Sequence, residues 1–296
     1  MRNRSLIRLI SSMLIFGTIG VFRRFLPVSS SFLACFRGIT GSLILLLLLH
    51  LRGKHLDHAC LRRHLVKLIL SGGIIGFNWI LLFESYRYTS VAVSTLCYYM
   101  APTLVMLASP LVLKTRLTSR RILCILLSFA GMLCISGLGS ENAFQSTAFL
   151  GVLLGLGAAV LYASVVLINS FLHEVPSIDR TIIQLLAAGI VVAPYTALTG
   201  GFALPSLQMG DWLLLLLLAF VHTALAYLLY FSSMTHLSTQ TIALLSYLDP
   251  VTAVLLSAFF LHEPMGILSI IGTVLILTAA VLGELPEKAS GPMEEE

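Results

Sequence analysis

Ten runs of about twenty mostly apolar residues divide this 296-residue chain and leave little between them. They cover roughly 6–25, 29–51, 65–85, 90–113, 119–138, 148–172, 179–199, 211–232, 239–261 and 267–285. At about 1.5 Å per helical residue, such a run matches the ~30 Å hydrocarbon core of a bilayer, where a helix satisfies its own backbone hydrogen bonds. Only 10% of the residues are charged and 58% are hydrophobic, far from the soluble norm of about 25% charged. The expectation is an all-α membrane protein. The seventh run is the weakest, with Asp179 and Arg180 at its start and Pro194 inside. The longest connection, Arg52 to His64, has no room for a soluble catalytic module.

The runs also repeat. Ser85–Thr118 and Ser233–Gly266 lie 148 positions apart, and with Pro102 set on Pro250 eight of 34 positions are identical, Ser90/Ser238 and Tyr99/Tyr247 among them. Each copy has a proline about halfway along an apolar run, where the ring removes one backbone hydrogen bond. The same offset pairs Trp79 with Tyr227, and a similar alignment of the first spans pairs Phe16 with Tyr162 and Thr18 with Ser164. The chain therefore reads as two five-helix repeats, 1–140 and 141–285, with a disordered acidic cytoplasmic tail at 286–296. Five spans is an odd number, so the second repeat enters the bilayer inverted. Inverted repeats with interrupted helices at matching positions point to a secondary transporter with its site between the halves.

Lysine and arginine set the orientation. With the N-terminus inside, 14 of the 18 lie on the cytoplasmic side, three (Arg23, Arg24 and Arg87) lie outside, and Arg37 lies within a span. That bias places both termini in the cytoplasm, and the expected location is the plasma membrane. The basic residues form no stripe interleaved with aromatics, so nucleic acid is not an expected partner. The five cysteines (Cys35, Cys60, Cys97, Cys124 and Cys134) form no CxxC pair, and four sit in apolar runs as small buried hydrophobes. The N-terminal stretch has no evident cleavage site and continues into Arg23-Arg24, so it reads as an uncleaved first span. No phosphate-binding loop, HExxH or GxSxG occurs, so ATP drive and hydrolase chemistry lack their usual residues. No cofactor or metal is expected. A channel would show rings of charge or a repeated carbonyl filter. The reading is an ATP-independent secondary transporter using alternating access, with an intramembrane enzyme or a non-transporting membrane sensor as the alternative. One chain holds the whole pseudo-symmetric unit, and a monomer or homodimer is expected.

Particular residues add a family resemblance. Phe16-Gly17, Phe36-Arg37-Gly38, YRYTSVAVSTLCYYMAP at Tyr86–Pro102 and LSYLDPVTAVLLSAFFLHEP at Leu245–Pro264 resemble the EamA-type transporters of the drug/metabolite transporter superfamily, over nearly the whole chain. The resemblance implies ten transmembrane helices as two inverted five-helix repeats around a central cavity. The first, third and fourth spans and their counterparts would line that cavity. It also implies transport of a small organic metabolite, such as an amino acid or an amphipathic compound, with export as the expected direction. One residue departs from the pattern: the acidic residue closing the fourth span is Thr115 here, while its second-half counterpart Glu263 is present.

Ionisable side chains inside spans cost about 2.5–3.5 kcal/mol each on insertion scales and are functional candidates. Arg37, about eight residues into the second span, either pairs with an acidic group or helix carbonyls or attracts an anionic solute; the resemblance puts its helix outside the cavity. Glu84 closes the third span beside Arg87 as a rim residue or as a cation or proton site. Asp249 precedes Pro250 where the first half has Ala101. It is either a proton-exchanging carboxylate or one held by backbone groups loosened around the proline. Asp249, Glu84 and Arg37 are the candidates for proton or charge coupling, and Pro102 and Pro250 for hinges. The candidates for binding the solute are Phe16, Thr18, Asn78, Trp79, Tyr98, Tyr99, Tyr162, His222, Tyr227, Tyr230 and Tyr247. Rings would hold apolar parts, and amide and hydroxyl groups polar ones. Trp79 and Phe83 share a helix face, as do Thr223, Tyr227 and Tyr230. His222 titrates near neutral pH where water reaches it and is otherwise a packed, hydrogen-bonded residue. The pairs Gly72/Gly76 and Gly151/Gly155 read as packing seams.

Overall fold

The structure, a computed structural model, describes residues 2–114, 118–135, 147–234, 237 and 239–284. They form ten long helices. In the first half, α1 is broken into Arg2–Gly17 and Ile19–Arg24, α2 is Ser30–Leu51 and α3 is His58–Tyr88. Next, α4 is broken into Val91–Tyr98 and Ala101–Val112, and α5 is Ser119–Ile135. In the second half, α6 is Thr147–Asn169 and α7 is Ser177–Leu198, while α8 runs from Met209 to Met234 through a π-helical turn at Phe220–Leu225. Finally, α9 is broken into Thr239–Ser246 and Leu248–Phe259, and α10 is Ile267–Glu284. Seven of these helices, α1–α4 and α6–α8, are long and apolar enough to cross a membrane.

Two details differ from the sequence reading. Half of the Arg52–His64 connection is helical, because Asp57 caps α3 by accepting the Cys60 N–H at 3.0 Å. The seventh run, weak on composition, is one uninterrupted helix through Pro194. Its Asp179 is buried and accepts the Asp57 N–H at 2.9 Å, which ties the start of α7 to the start of α3. The tail at 286–296 and Thr115 lie outside the described residues.

The halves repeat down to their helix ends. Gly53 and Gly200 follow α2 and α7 in the left-handed conformation, with φ of 66° and 69°. In each case the next N–H returns to a carbonyl five residues back, Lys54 to Leu49 at 3.1 Å and Gly201 to Thr196 at 2.7 Å. Lys114 and His262, 148 positions apart, follow α4 and α9 with φ of 54° and 53°. Packing obeys the same exchange: α3 lies on α6 as α8 lies on α1, and α2, α4 and α5 pack on their own counterparts α7, α9 and α10. Small residues set these crossings. A Cβ on Gly38 would meet the Gly189 nitrogen and the Leu185 carbonyl at 2.7 Å, so α2 and α7 cross backbone against backbone. Gly72 and Gly76 face the Gln184 and Ala188 carbonyls of α7 in the same manner.

Candidate functional site

Pro102 and Pro250 act as proline chemistry requires. Neither has an N–H to give, and each falls in the first turn of a helix piece, where none is needed. The breaks just before them, at Tyr99-Met100 and at Tyr247, put Tyr99 and Tyr247 on the wall of a central cavity of about 340 Å³. Small-molecule sites run from about 300 to 1,000 Å³. Seven helices contribute rings or charges to the wall: Phe16 of α1; Arg37 of α2; Trp79, Phe83 and Tyr86 of α3; Tyr98 and Tyr99 of α4; Tyr162 of α6; Tyr227 and Tyr230 of α8; and Tyr247 and Asp249 of α9. Rings from opposite halves pack on one another, Phe16 with Tyr227 at 5.3 Å, Tyr98 with Tyr162 at 5.2 Å and Tyr99 with Tyr247 at 6.5 Å. The wall is aromatic and built by both halves.

Two charged side chains lie on it. Asp249 accepts the Tyr99 hydroxyl at 2.7 Å, so the break in one half holds the carboxyl group of the other. Arg37 is 3% exposed and lays its guanidinium over the rings of Trp79, at 4.6 Å, and Phe83, at 5.3 Å. Its Nε donates to the Thr223 hydroxyl at 3.2 Å. The π turn positions that hydroxyl, which itself donates to the Leu218 carbonyl five residues back at 3.0 Å. Gly41, one turn beyond Arg37, makes room for the Thr223 methyl, which a Cβ there would strike at 2.5 Å.

A polar clamp closes the end of the bundle where α1 and α9 finish and α4 begins. The Glu263 carboxylate takes the Val91 N–H at 2.9 Å, the Ser257 hydroxyl and the Arg24 guanidinium. Arg24 also donates to the Thr89 carbonyl at 3.3 Å, and the Ala92 N–H reaches the Ser257 hydroxyl at 3.2 Å. Beneath this clamp the lining residues Gly20, Tyr86 and Thr95 are buried, whereas Tyr162, further from it, is 40% exposed.

The EamA-like transporter family matches residues 3–137 and again 149–283. The chain belongs to that family. It is a multi-pass membrane transporter built of two EamA halves, and the family are not enzymes. The uncharacterized transporter YxxF of Bacillus subtilis strain 168 is 28% identical over 275 residues, 91% of this chain and 88% of that protein. An uncharacterized transporter of Archaeoglobus fulgidus is 25% identical over 195 residues, 66% of this chain and 67% of its own length. A solved crystal structure has the same fold at a TM-score of 0.63 and 19% identity, covering 96% of this chain and 98% of that one.

In this EamA-like transporter the residues singled out in the sequence divide into two groups. Phe16, Trp79, Tyr98, Tyr99, Tyr162, Tyr227, Tyr230, Tyr247, Asp249 and Pro102 line the cavity. Thr18, Asn78, His222, Glu84 and Pro250 do not. Thr18 and His222 hydrogen-bond each other at 2.7 Å, tying the break in α1 to the π turn of α8. Asn78 is buried and donates to the Ala158 carbonyl of α6. Glu84 sits at the rim, accepting from Ser30 and from Arg87, each at 2.7 Å. Arg37 corrects the expectation for α2: it lies on the cavity wall, and no carboxylate pairs with it among the described residues. Tyr86, Thr95 and Ser246 were missed. Tyr86 extends the Trp79–Phe83 stripe by one turn, Thr95 lies one turn before Tyr98, and Ser246 is the repeat mate of Tyr98. The π turn had no signal in the sequence.

Proposed function

We propose that this transporter carries a small amphipathic organic solute through the cavity between its halves, by alternating access and without ATP. The observation that carries the reading is the cavity itself, about 340 Å³, walled mainly by rings from both halves and bordered by both proline-broken helices, α4 and α9. The lysine and arginine bias supports cytoplasmic termini and inverted halves. That orientation puts the Glu263 clamp at the outer face, and the buried lining beneath it favours an inward-facing state. Rocking of α4 and α9 at their proline breaks would exchange that state for an outward-facing one. Asp249 is the group that would couple a proton to the cycle. Export is the direction the family resemblance implies.

The test is a thermal-shift screen of the purified chain against amino acids, polyamines, nucleosides and aromatic metabolites. A ligand that binds only the native state raises the melting temperature by mass action. The expected result is a shift confined to one chemical class and lost in Trp79→Ala and Tyr99→Ala. A shift that both variants retain refutes binding in this cavity.

A further inference from the structure

We propose that Arg37 is the docking group for the anionic head of the solute, so that the cargo is an organic carboxylate with a flat apolar body. The proposal rests on the reading that the cavity is the transport site, and it narrows the cargo to one chemical class.

A guanidinium buried among apolar helices is a costly group to keep. Arg23 gives the contrast: only its Nε lacks a partner, and both of its terminal nitrogens are paired. Arg23, 5% exposed, donates from Nη1 to the Leu26 carbonyl at 2.9 Å and from Nη2 to the Val28 carbonyl and the Ser30 hydroxyl, both at 3.2 Å. Arg37 is buried more deeply, and its Nη1 has no hydrogen-bond partner. Its charge rests on the faces of Trp79 and Phe83, and its Nε on Thr223. Those contacts fix the plane of the group and leave Nη1 on its terminal edge unpaired.

That edge suits a carboxylate, which a guanidinium can take through two parallel N–H bonds. The cavity's own carboxyl group, Asp249, is engaged by Tyr99. Below the guanidinium the wall continues as rings, with Trp79, Phe83, Tyr86 and Tyr227 all on the cavity. A solute whose carboxylate meets Arg37 therefore lays its body on aromatic faces. An uncharged or cationic solute of the same shape leaves the arginine unmatched.

The test uses three probes that share one ring: indole-3-acetate, its uncharged amide and the cation tryptamine. Binding to the full-length chain in detergent is read by thermal shift and by titration, in wild type and in Arg37→Gln, Arg37→Lys and Thr223→Val. The acid is expected to bind wild type at least about tenfold more tightly than the amide, in line with a charge-assisted bond. Arg37→Gln should remove that preference, Arg37→Lys should restore part of it, and Thr223→Val should weaken acid binding alone. The ligand-free melting temperature of Arg37→Gln should stay at or above that of wild type, because losing the ring and Thr223 contacts is outweighed by removing a buried cation with no carboxylate paired to it among the described residues. Equal binding of acid and amide to wild type overturns the role of Arg37, and so does a preference for the acid that survives Arg37→Gln. If acid and amide bind equally and Trp79→Ala abolishes the binding of both, the cavity reading survives while the carboxylate proposal falls. If no probe binds wild type, the proposal falls as well.

Discussion

Replacing Glu263 with glutamine should unlatch one face of the transporter. The variant keeps the side chain's shape and one acceptor oxygen but loses the charge. The Arg24 bond is discounted for solvent, since that side chain is 36% exposed, and a pair of this kind contributes roughly 0.2–1 kcal/mol. The Val91 N–H and the Ser257 hydroxyl, which share an oxygen that is mostly buried, would change from a charged acceptor to a neutral one. Charge-assisted bonds contribute about 1.5–3 kcal/mol and neutral ones about 0.5–1.5, so the change costs roughly 1 kcal/mol for each of these two bonds. The sum, about 2–3 kcal/mol, moves a two-state equilibrium by roughly 30–150-fold. The reporter is a cysteine at Thr95, a buried lining residue beneath the clamp, in a chain whose five native cysteines are replaced. Its rate of modification by a membrane-impermeant maleimide, added outside right-side-out vesicles, should rise by that factor in Glu263→Gln. An Arg24→Gln variant should give a smaller rise. An unchanged rate would refute the clamp as a gate, and a rise seen only with reagent on the inside would refute the orientation.

Gly38→Ala places a methyl group 2.7 Å from the α7 backbone, and forcing it in costs about 1–3 kcal/mol against a gain of about 1 kcal/mol in helix propensity. Gly210→Ala meets nothing within 4 Å, so it should melt above wild type in detergent and Gly38→Ala below it; the reverse order refutes the close crossing of α2 and α7. Asp249→Asn keeps an acceptor for the Tyr99 hydroxyl but cannot take up a proton. Transport in proteoliposomes should continue without its dependence on a pH gradient, and full retention of that dependence ends the proton role.

The number of long helices, the repeat and the two proline breaks were legible because each is written in local chemistry: apolar length, recurrence at a fixed offset, and a missing N–H. The cavity wall was legible where helical spacing and repeat pairing agree, as at Trp79/Tyr227 and Tyr99/Tyr247. It was illegible where the rotation of a helix decides the matter. Asn78 precedes Trp79 in sequence but lies about 100° around the helix, and its amide goes to α6 instead of the cavity. The depth of Arg37 in α2 could be counted, but the direction it faces depends on how α2 meets α7 at Gly38 and Gly189, a long-range contact. The π turn has the same kind of effect. By adding a residue to one turn of α8 it rephases the stripe Thr223, Tyr227 and Tyr230, sending the first against Arg37 and the other two to the cavity.

Likeness between the halves does not by itself choose a state. Two equivalent halves would make the inward-facing and outward-facing arrangements equal in energy, so any bias must come from positions where the halves differ. Among such positions are Asp249 against Ala101, Glu263 against Thr115, and the π turn of α8 against the unbroken α3. Each bears on a different task. Asp249 joins the tyrosine at the break of the other half, Thr223 of the π turn orients Arg37, and Glu263 closes one end. On the alternating-access proposal, the repeat supplies a fold able to rock, and the unmatched residues bias which way it faces and what it can hold.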